Sequence, residues 1–592
     1  MGLHLTDTSV SVDPIYDVPD DLTVPGVVID RARRTPDAPI VERCLGPDHW
    51  CPVTAAAFAD AFARVGAAAI AWGVREGDHV AIQGPSGLEW NLIDLALQMI
   101  GAVVVPIYDT ASPTQIHAII TESAITRAFA DGDAAGRLTE AGVDVRDFGW
   151  AVTASGLDDP AAEIDPTPAL TRLAKRRADE VATIVYSSGT TGRPRGVVLT
   201  HRNLAGMLIQ QQMFFPQAIH DADVRCLLFL PMAHVFARTA AYMPLAGEGV
   251  SGHVTAAAGD LVANLRQFRP TTIGAVPRVL EKIEEAAQRK ASSGLAAHVF
   301  AWAQRVARER APYVRYDRAI PRGLALRYRL AHALVLGRLV ETMGGQLRCV
   351  VSGGAPLDPA LDDFFTGMGI RICNGYGLTE SSGGFLCNTF SEAKAGTAGR
   401  PLPGCRVRVS ADGELELAGI GIFTGYANDA AATEAAFTPD GWFRSGDLGE
   451  IDAEGYVTIT GRKKDVIVTA GGKNVQPAPL EEAVRRHPQV SQVMVVGEGR
   501  KYVAALVTRD PEAPGDVDSA SAQVSAAFAE ANRAVSRAES VRRFVILDGD
   551  FSEENGLLTP SLKMKRSRIA ERFADEIDAL YRGEIGTDVA AS

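Results

Sequence analysis

The chain has 592 residues, of which 46% are hydrophobic and 22% are charged, and its formal net charge is −13. This length predicts several core-forming units, and the composition is typical of a soluble globular enzyme, which excludes a mostly disordered or fibrous protein. The acidic balance speaks against nucleic acid as the main partner. Seven cysteines without any C-x-x-C pair favour reduced thiols over a disulfide framework or a zinc site.

No segment of the chain has the pattern of a signal peptide or a membrane span. The first residues, MGLHLTDTSVSVDP, lack a basic segment followed by an apolar one. The longest apolar stretch, near residues 95–107, contains Gln98 and is too short to span a bilayer. We therefore expect a cytoplasmic protein.

Predicted helices and strands alternate through most of the chain. Small and apolar residues recur at helical spacing in residues 54–72, and a second helix is predicted around residues 92–100. Short apolar runs predict buried strands at residues 101–108, 181–185, 224–230, 272–276, 348–351 and 370–373. This alternation indicates an α/β fold with a largely parallel sheet.

Residues 186–203, YSSGTTGRPRGVVLTHRN, form a glycine- and hydroxyl-rich loop after a predicted strand. Glycine leaves backbone N–H groups accessible, so such a loop can bind a polyphosphate, and the arginines Arg193 and Arg195 add positive charge. Nucleotide phosphates commonly bind at this place in α/β folds. The loop lacks the lysine and hydroxyl pattern of P-loop NTPases, and taken alone it is also compatible with a flexible turn.

Residues 290–340 are basic although the whole chain is acidic. This segment, which is mostly helical by prediction, has ten basic residues against two acidic ones and contains Trp302 and three tyrosines. It is either a solvated helical face that balances an acidic body or a surface that rests on an anionic membrane. If the second interpretation holds, neutralising Arg305, Arg308 and Arg310 together is expected to weaken binding to anionic vesicles.

The sequence pattern changes near residues 444–465, where short strands and turns precede a small domain. After Lys464, a helix with two prolines near its start and a pair of strands predict an α+β domain of about 130 residues. The chain contains ten lysines against 49 arginines, and half of the lysines lie in two C-terminal segments, at positions 463, 464, 473, 563 and 565. A lysine in an arginine-rich chain marks a need for a compact ammonium charge, unless the clustering is chance.

Three further segments carry candidate binding residues. VSGGAPL (351–357) follows one predicted strand, and NGYGLTES (374–381) follows the next and provides Tyr376, Thr379 and Glu380. SGDLG (445–449) provides Asp447, a carboxylate that could accept hydrogen bonds from ribose hydroxyls.

In this order, these segments resemble the acyl-adenylate-forming (ANL) superfamily of acyl-CoA synthetases, luciferases and adenylation domains, over about residues 30–575. PIYDTASPTQ (106–115), LPMAHVFAR (230–238) and ENGLLTPSLKMKR (554–566) are similar to long-chain fatty acyl-CoA synthetases. The resemblance implies an α/β fold in which residues 1–461 form a large N-terminal domain of several subdomains. Residues 462–465 are then a hinge, and residues 466–592 form a small mobile α+β domain.

The resemblance also implies roles for individual residues. The β- and γ-phosphates of ATP would be held by Ser187, Ser188, Gly189, Thr190, Thr191, Gly192 and Arg195. Adenine would lie between Tyr376 and the segment Gly353, Gly354, Ala355, Pro356, with Asn374, Gly375 and Gly377 beside the nucleotide. Thr379 would contact the α-phosphate, Glu380 would bind Mg²⁺ with Ser187, and Asp447 and Arg462 would hold the ribose.

The remaining implied roles concern acyl transfer. His234 would lie beside the acyl carboxylate, Lys464 would be the hinge residue, and Lys563 would be the catalytic lysine. Gly471, Gly472 and Lys473 would face CoA. Three positions depart from the family pattern: Arg195 and Ser187 stand where lysine and threonine are usual, and Leu562 replaces the glycine before Lys563, which leaves Lys565 as the alternative lysine.

The implied function is ATP-dependent activation of a medium- or long-chain fatty acid to acyl-AMP, followed by thioester formation with CoA and release of AMP and pyrophosphate. Two alternatives stay open: an acyl-AMP ligase that passes the acyl group to a carrier protein or another acceptor, and a catalytically silent nucleotide- or acyl-binding homologue. The expected small-molecule partners are fatty acid, ATP, CoA and Mg²⁺, and the basic residues 290–340 could add contact with the inner face of the membrane.

Overall fold

The computed structural model describes residues 2–46, 49–157, 164–187, 194–254, 261–291, 294–390, 392–511, 513, 517–559 and 563–589. The chain divides into two compact units. Unit 1 comprises Met1–Arg408, Glu416–Arg444 and Ile451–Thr458, and unit 2 comprises Val409–Leu415, Ser445–Glu450 and Ile459–Ser592.

The α-helices are α1 (Val24–Arg34), α2 (Ala55–Ala71), α3 (Leu88–Met99), α4 (Pro113–Glu122), α5 (Asp133–Glu140), α6 (Phe148–Ser155), α7 (Thr167–Leu173), α8 (His201–Phe214), α9 (Pro216–Ile219), α10 (Val235–Ala246), α11 (Leu261–Phe268), α12 (Pro277–Lys290), α13 (Gly294–Arg315), α14 (Arg322–Ala331), α15 (Gly337–Thr342), α16 (Pro359–Met368), α17 (Ala430–Ala436), α18 (Pro477–Arg485), α19 (Val517–Asn532), α20 (Arg566–Arg572) and α21 (Ala574–Arg582). A π-helical turn spans His332–Leu336, and 3₁₀ turns span Thr379–Ser381 and Lys463–Asp465.

The β-strands are β1 (Leu3–Leu5), β2 (Ser9–Val12), β3 (Pro39–Gly46), β4 (His49–Thr54), β5 (His79–Gln83), β6 (Val103–Pro106), β7 (Arg127–Ala130), β8 (Asp144–Arg146), β9 (Val181–Ser187), β10 (Arg195–Thr200), β11 (Arg225–Leu228), β12 (Val250–His253), β13 (Thr272–Ala275), β14 (Cys349–Ser352), β15 (Arg371–Leu378), β16 (Gly383–Cys387), β17 (Arg400–Pro401), β18 (Cys405–Val409), β19 (Glu414–Gly419), β20 (Gly425–Tyr426), β21 (Phe443–Ile451), β22 (Val457–Arg462), β23 (Ile467–Val468), β24 (Asn474–Val475), β25 (Val490–Val496), β26 (Val503–Arg509), β27 (Val541–Leu547) and β28 (Thr587–Asp588). The predicted α/β class is confirmed by this alternation of helices and strands.

Unit 1 contains two large, mainly parallel sheets. The first has the order β20-β10-β9-β6-β5-β7-β8 and is parallel from β9 to β8. The second has the order β17-β16-β15-β14-β13-β11-β12-β3-β4 and is parallel from β15 to β3. Because the carboxyl ends of parallel strands lie at one edge of a sheet, β14 and β15 deliver their following residues to neighbouring positions.

Strand β15 is longer than the sequence predicts, because residues 374–378 remain in the strand. The prediction ended this strand at residue 373, whereas Gly375 to Leu378 pair antiparallel with β16. Pairing with a later strand compensates for the low strand propensity of glycine. Tyr376 is therefore held by strand hydrogen bonding.

The basic segment forms helices α13 to α15, whose inner faces pack into a core around Phe364 and Phe365 of α16. Some of its arginines form ion pairs within the protein. Arg315 is buried between Asp362 (3.1 Å) and Asp363 (2.8 Å). Buried cations need such partners to offset desolvation.

Two of the arginines expected to contact lipid also have partners within the protein. Arg308 donates to Glu284 at 3.2 Å and to a backbone carbonyl, and Arg310 donates to the carbonyl of Gly367 and lies over the ring of Tyr328 at 4.0 Å. The fold therefore already engages two of the three arginines of the expected lipid contact.

Unit 2 contains a four-stranded sheet, β25-β26-β27-β28, with helices α18 and α19 packed against it. Val493, Val507 and Phe544 lie in its core. The predicted strand pair at residues 491–510 and the predicted helix beginning with two prolines correspond to β25, β26 and α18. Among the described residues of both units, we find no helix that is long and apolar enough to cross a membrane.

Candidate active site

The glycine-rich loop connects β9 to β10, which form an antiparallel hairpin. Ser187, at the end of β9, is opposite Arg195, at the start of β10. Gly196 follows in a crowded place, since a Cβ there would lie 2.8 Å from the side chain of Ile184. The proposed phosphate ligands Ser188, Gly189, Thr190, Thr191 and Gly192 lie outside the described residues, as does the side chain of Ser187.

The segment after β14 presents an exposed turn next to β15. Gly354 has a φ of 83°, a left-handed conformation that favours glycine, and it is exposed together with Ala355 and Pro356. A Cβ on Gly353 would lie 3.2 Å from the carbonyl oxygen of Gly375. The two predicted adenine segments are thus neighbours, as the parallel pairing of β14 and β15 requires.

Tyr376 is half-buried on β15, where the strand shifts register against β16. At Gly377 the two strands approach so closely that a Cβ would lie 1.6 Å from the carbonyl oxygen of Gly383. Asn374 donates from its side chain to the carbonyl of Thr397 at 2.9 Å. These contacts fix the backbone on both sides of Tyr376.

Glu380 follows Thr379 in the 3₁₀ turn after β15, and its carboxylate accepts a hydrogen bond from the Tyr426 hydroxyl at 3.1 Å. The guanidinium of Arg195 lies over the ring of Tyr426, 5.5 Å from the ring centre. Burial, followed by the charge of Glu380, raises the pKa of Tyr426 well above its usual value. The phenol therefore stays protonated and available as a donor.

Tyr426 was not among the residues singled out in the sequence. It lies on the short strand β20, which pairs with β10 so that Tyr426 is opposite Val197. The sequence feature that could have indicated it is an aromatic residue in TGYAND, a segment outside the predicted helices and strands. Its partner Glu380 is 46 residues away in sequence, so only the fold brings the two together.

His234 is the N-cap of helix α10, and its Nδ1 accepts a hydrogen bond from the backbone N–H of Phe236 at 3.1 Å. An accepting Nδ1 assigns the proton of the neutral ring to Nε2. The turn before it is held by Ser86, which accepts from Met232 at 3.0 Å and donates to Leu230 at 2.9 Å.

In unit 2, Asp447 and Arg462 form an ion pair with Oδ1 and Nε 2.8 Å apart. Asp447 is only 2% exposed, whereas the side chain of Arg462 is 40% exposed. The preceding turn is held because the N–H of Gly446 donates to Glu414 at 2.9 Å, and Lys463 binds the same carboxylate at 2.9 Å. The two residues predicted to hold ribose are thus adjacent.

The other predicted residues of unit 2 lie in turns. Lys464 is exposed in the 3₁₀ turn after β22, and Gly471 and Gly472 lie in an exposed loop between β23 and β24. Lys473 closes that loop and forms an ion pair with Glu539 at 3.3 Å.

The two candidate catalytic lysines have different surroundings. Lys563 is exposed, and its backbone is fixed by hydrogen bonds to Thr559, at 3.0 Å to the hydroxyl and 2.8 Å to the N–H. Lys565 is half-buried at the start of α20, and burial followed by the charge of Arg568 lowers its pKa. Lys563 is the more exposed of the two lysines, while Leu562 lies outside the described residues.

The described residues contain no cluster of three or more histidine, cysteine or acidic side chains that could hold a metal ion. Glu380 offers one carboxylate, which is oriented by the hydrogen bond from Tyr426. Mg²⁺ is commonly bound by one or two carboxylates together with substrate phosphates and water. The donor set at Glu380 therefore fits an ion that arrives with a nucleotide, and not a preformed metal cage.

Two family models match the chain. The model described as "AMP-binding enzyme" matches residues 28–427, and "AMP-binding enzyme C-terminal domain" matches residues 464–584. The long-chain-fatty-acid–CoA ligase FadD15 of Mycobacterium bovis is 39% identical, over 97% of this chain and 100% of that protein. The long-chain-fatty-acid–CoA ligase ACSBG2 of Gallus gallus is 30% identical, over 85% of this chain and 74% of that protein.

Solved structures share the fold at lower sequence identity. ATP-bound MatB from Rhodopseudomonas palustris has a TM-score of 0.70 at 22% identity and covers 94% of this chain and 100% of its own. The A domain of the carboxylic acid reductase from Segniliparus rugosus, in complex with AMP, has a TM-score of 0.73 at 20% identity, covering 96% of this chain and 95% of its own.

Proposed function

Because this chain belongs to the AMP-binding enzyme family, we propose that it is an AMP-forming long-chain fatty acid–CoA ligase. The observation that carries the proposal is the row Arg195, Tyr426 and Glu380, which connects the end of the glycine-rich hairpin to an oriented carboxylate. A positive charge at one end and a hard oxygen ligand at the other suit a triphosphate and its metal ion.

In the first step, a fatty acid carboxylate attacks the α-phosphorus of ATP, the bond to the bridging oxygen of pyrophosphate breaks, and acyl-AMP forms. The two reactants are anions, so the site must offset their repulsion. Glu380 would hold Mg²⁺, which as a Lewis acid would screen the phosphate charge. Thr379 donates to the α-phosphate, and Asp447 and Arg462 position the ribose.

His234 and Lys563 complete the proposed first step. The Nδ1 of His234 accepts from a backbone N–H, which leaves the ring proton on Nε2, and this Nε2–H orients the acyl carboxylate. The ammonium of Lys563 stabilises charge that develops on the carboxylate and on the bridging oxygen during transfer. Lys563 is preferred over Lys565 because it is exposed and not half-buried at a helix start.

In the second step, the thiol sulfur of CoA attacks the acyl carbonyl carbon and loses its proton to water, AMP leaves with the electrons of the broken C–O bond, and a thioester forms. The exposed loop Gly471 to Lys473 serves this step, after reorientation about a hinge at Lys464. A few terminal residues of a strand or turn can absorb such a backbone change, and Lys464 lies directly after β22. The catalysed sum is fatty acid, ATP and CoA giving acyl-CoA, AMP and pyrophosphate.

The proposal is tested by two assays on the full chain. In the first, exchange of labelled pyrophosphate into ATP is measured with carboxylic acids from two to twenty carbons. In the second, acyl-CoA formation is measured with the same acids, and a purified acyl carrier protein replaces CoA in parallel.

We expect exchange and CoA-dependent product with long-chain acids. Exchange without CoA product, but with acylation of the carrier protein, would favour the acyl-AMP ligase. Absence of exchange with every acid would identify a silent homologue.

A further inference from the structure

Helix α14, the π-helical turn His332–Leu336 and helix α15 form one helical segment whose outer side carries exposed leucines. Leu326, Leu330 and Leu334 are 61%, 53% and 55% exposed and recur every four residues. The opposite side of the same helical segment packs Leu324, Ala331, Leu336 and Leu339 into the core. A helix that already buries one apolar side has no structural need for a second one.

Three exposed arginines share this outer side. Arg322 lies at the first turn of α14, Arg329 beside Leu330, and Arg338 near the start of α15. We call the six residues, Arg322, Leu326, Arg329, Leu330, Leu334 and Arg338, the outer face.

The charges of the three arginines of the outer face are not neutralised by carboxylates among the residues that the structure describes. Within the described part of the chain, none of the three has an acidic partner. Nearby acidic groups are already engaged: Glu309 pairs with Arg327 at 2.7 Å, and Asp317 pairs with Arg371. Glu341, which is exposed on α15, lies beyond the arginine end of the outer face.

We propose that the outer face docks on an anionic phospholipid surface, with its leucines inserted among the acyl chains and its arginines on the headgroups. A leucine row with basic residues on its flanks is the arrangement of a helix that lies in the membrane interface. The three arginines give the outer face a local positive charge, whereas the chain as a whole has a net charge of −13.

A second copy of this chain fits the outer face less well. The face spans 17 residues of helix, which gives a length of about 25 Å and an area of roughly 250 Å² at helix width. A stable protein interface buries about 800 Å² on each partner. Binding to a lipid surface requires no such minimum area, because each inserted leucine and each arginine adds its own contribution to the binding free energy.

The proposal goes beyond the ligase function and does not depend on it, since binding is measured without substrate. The full chain is mixed with vesicles of phosphatidylcholine, with and without about a third of phosphatidylglycerol, and bound protein is measured by flotation. We expect binding to the anionic vesicles alone, with a loss at high salt because screening weakens the arginine contribution.

Two triple variants separate the contributions. Arg322→Gln, Arg329→Gln and Arg338→Gln together should weaken binding about 100-fold, at about fivefold for each cationic residue. Leu326→Ser, Leu330→Ser and Leu334→Ser together should weaken it more than 10-fold. Replacing the same three arginines by lysine should retain binding.

A matched control replaces exposed leucines elsewhere, Leu5, Leu45 and Leu170, by serine. This triple should bind vesicles as the unchanged chain does. Circular dichroism verifies that each triple is folded. No binding of the unchanged chain to anionic vesicles, or equal binding by the outer-face triples, would overturn the proposal. So would a dimer in solution that the leucine triple dissociates, because the occupant would then be a second copy.

Discussion

Arg238 and Asp94 form an ion pair whose side chains are 1% and 0% exposed, so both charges are removed from water. The pair is the centre of a buried network. Tyr242 donates to Asp94 at 2.5 Å, and Arg238 also donates to Thr183 at 2.6 Å. Arg238 lies on α10, one turn after His234, and Thr183 lies on β9, which leads to the glycine-rich hairpin. The network therefore joins the two elements that carry the proposed acyl and phosphate residues.

Replacing Arg238 by methionine is expected to destabilise the protein by about 3–5 kcal/mol, because Asp94 is left as a buried, unpaired charge. Replacing both residues, as Arg238→Met with Asp94→Leu, should recover much of that loss. Chemical denaturation gives the free energies of unfolding. As a control, the exposed pair Arg33 and Asp30 should contribute no more than about 0.5 kcal/mol. A cost below about 1 kcal/mol for Arg238→Met would mean that water reaches the network.

Removing the Tyr426 hydroxyl tests its role at Glu380. We expect Tyr426→Phe to raise the Mg²⁺ concentration for half-maximal pyrophosphate exchange about 10-fold, since a carboxylate that loses its orienting donor binds metal less well. The matched control is Tyr328→Phe, which removes a hydroxyl that donates to the carbonyl of Met368 at 2.8 Å. The control should affect stability alone. An equal Mg²⁺ requirement in Tyr426→Phe and the unchanged chain would contradict the role.

The strands that carry the site were predictable because each is a short apolar run with glycine or polar residues after it. The loop of β9 and β10 and the turn at Gly353 follow such runs directly, and Glu380 comes seven residues after the run at 370–373. Their order along the chain was enough for the resemblance. What the sequence does not contain is the pairing across strands, as in the extension of β15 by β16.

Side-chain partners far apart in sequence were the other limit. Asp94 and Arg238 are separated by 144 residues, and the motif HVFAR gives no sign of which carboxylate the arginine meets. The basic segment shows the same limit. The composition indicated an excess of positive charge in this segment. Only the structure distinguishes Arg315, which is buried in an ion pair, from Arg322, which is exposed.

Asp447 is predicted to recognise ribose hydroxyls, and Asp447→Asn should raise the KM for ATP roughly 10- to 100-fold, since hydrogen bonds to a charged group are worth about 1.5–3 kcal/mol. The decisive comparison uses 2′-deoxy-ATP and 3′-deoxy-ATP. The variant should lose most of the preference for ATP over these analogues. Asp447 also pairs with Arg462, which is itself proposed to position the ribose, so Arg462→Met is measured in parallel and should lose part of the same preference. Full retention of the preference for ATP in Asp447→Asn would contradict recognition of the ribose by this carboxylate.

Buried His201 makes the stability of the protein sensitive to acid. Burial, and then the charges of Arg176 and Arg238, lower its pKa from 6.5 to about 3. The unfolded state therefore binds a proton that the folded state refuses, so stability falls as the pH decreases from about 6.5 towards 3, by up to about 1.4 kcal/mol per pH unit. His201→Gln should flatten this dependence between pH 7 and 4.5 in denaturation experiments. The exposed His117→Gln should leave it unchanged. Identical slopes for both variants would contradict the assignment.

The catalytic lysine is assigned by separating the two half-reactions. Lys563→Ala should slow pyrophosphate exchange about 10²- to 10³-fold, because a charge that stabilises the transition state is lost. It should leave thioester formation from supplied acyl-AMP and CoA within about threefold, since that step is proposed to use the loop at Lys473. Lys565→Ala, whose side chain is half-buried at the start of α20, should slow exchange less than 10-fold. The opposite ranking of the two variants would assign the first step to Lys565, and equal losses in both half-reactions would indicate a structural effect of Lys563.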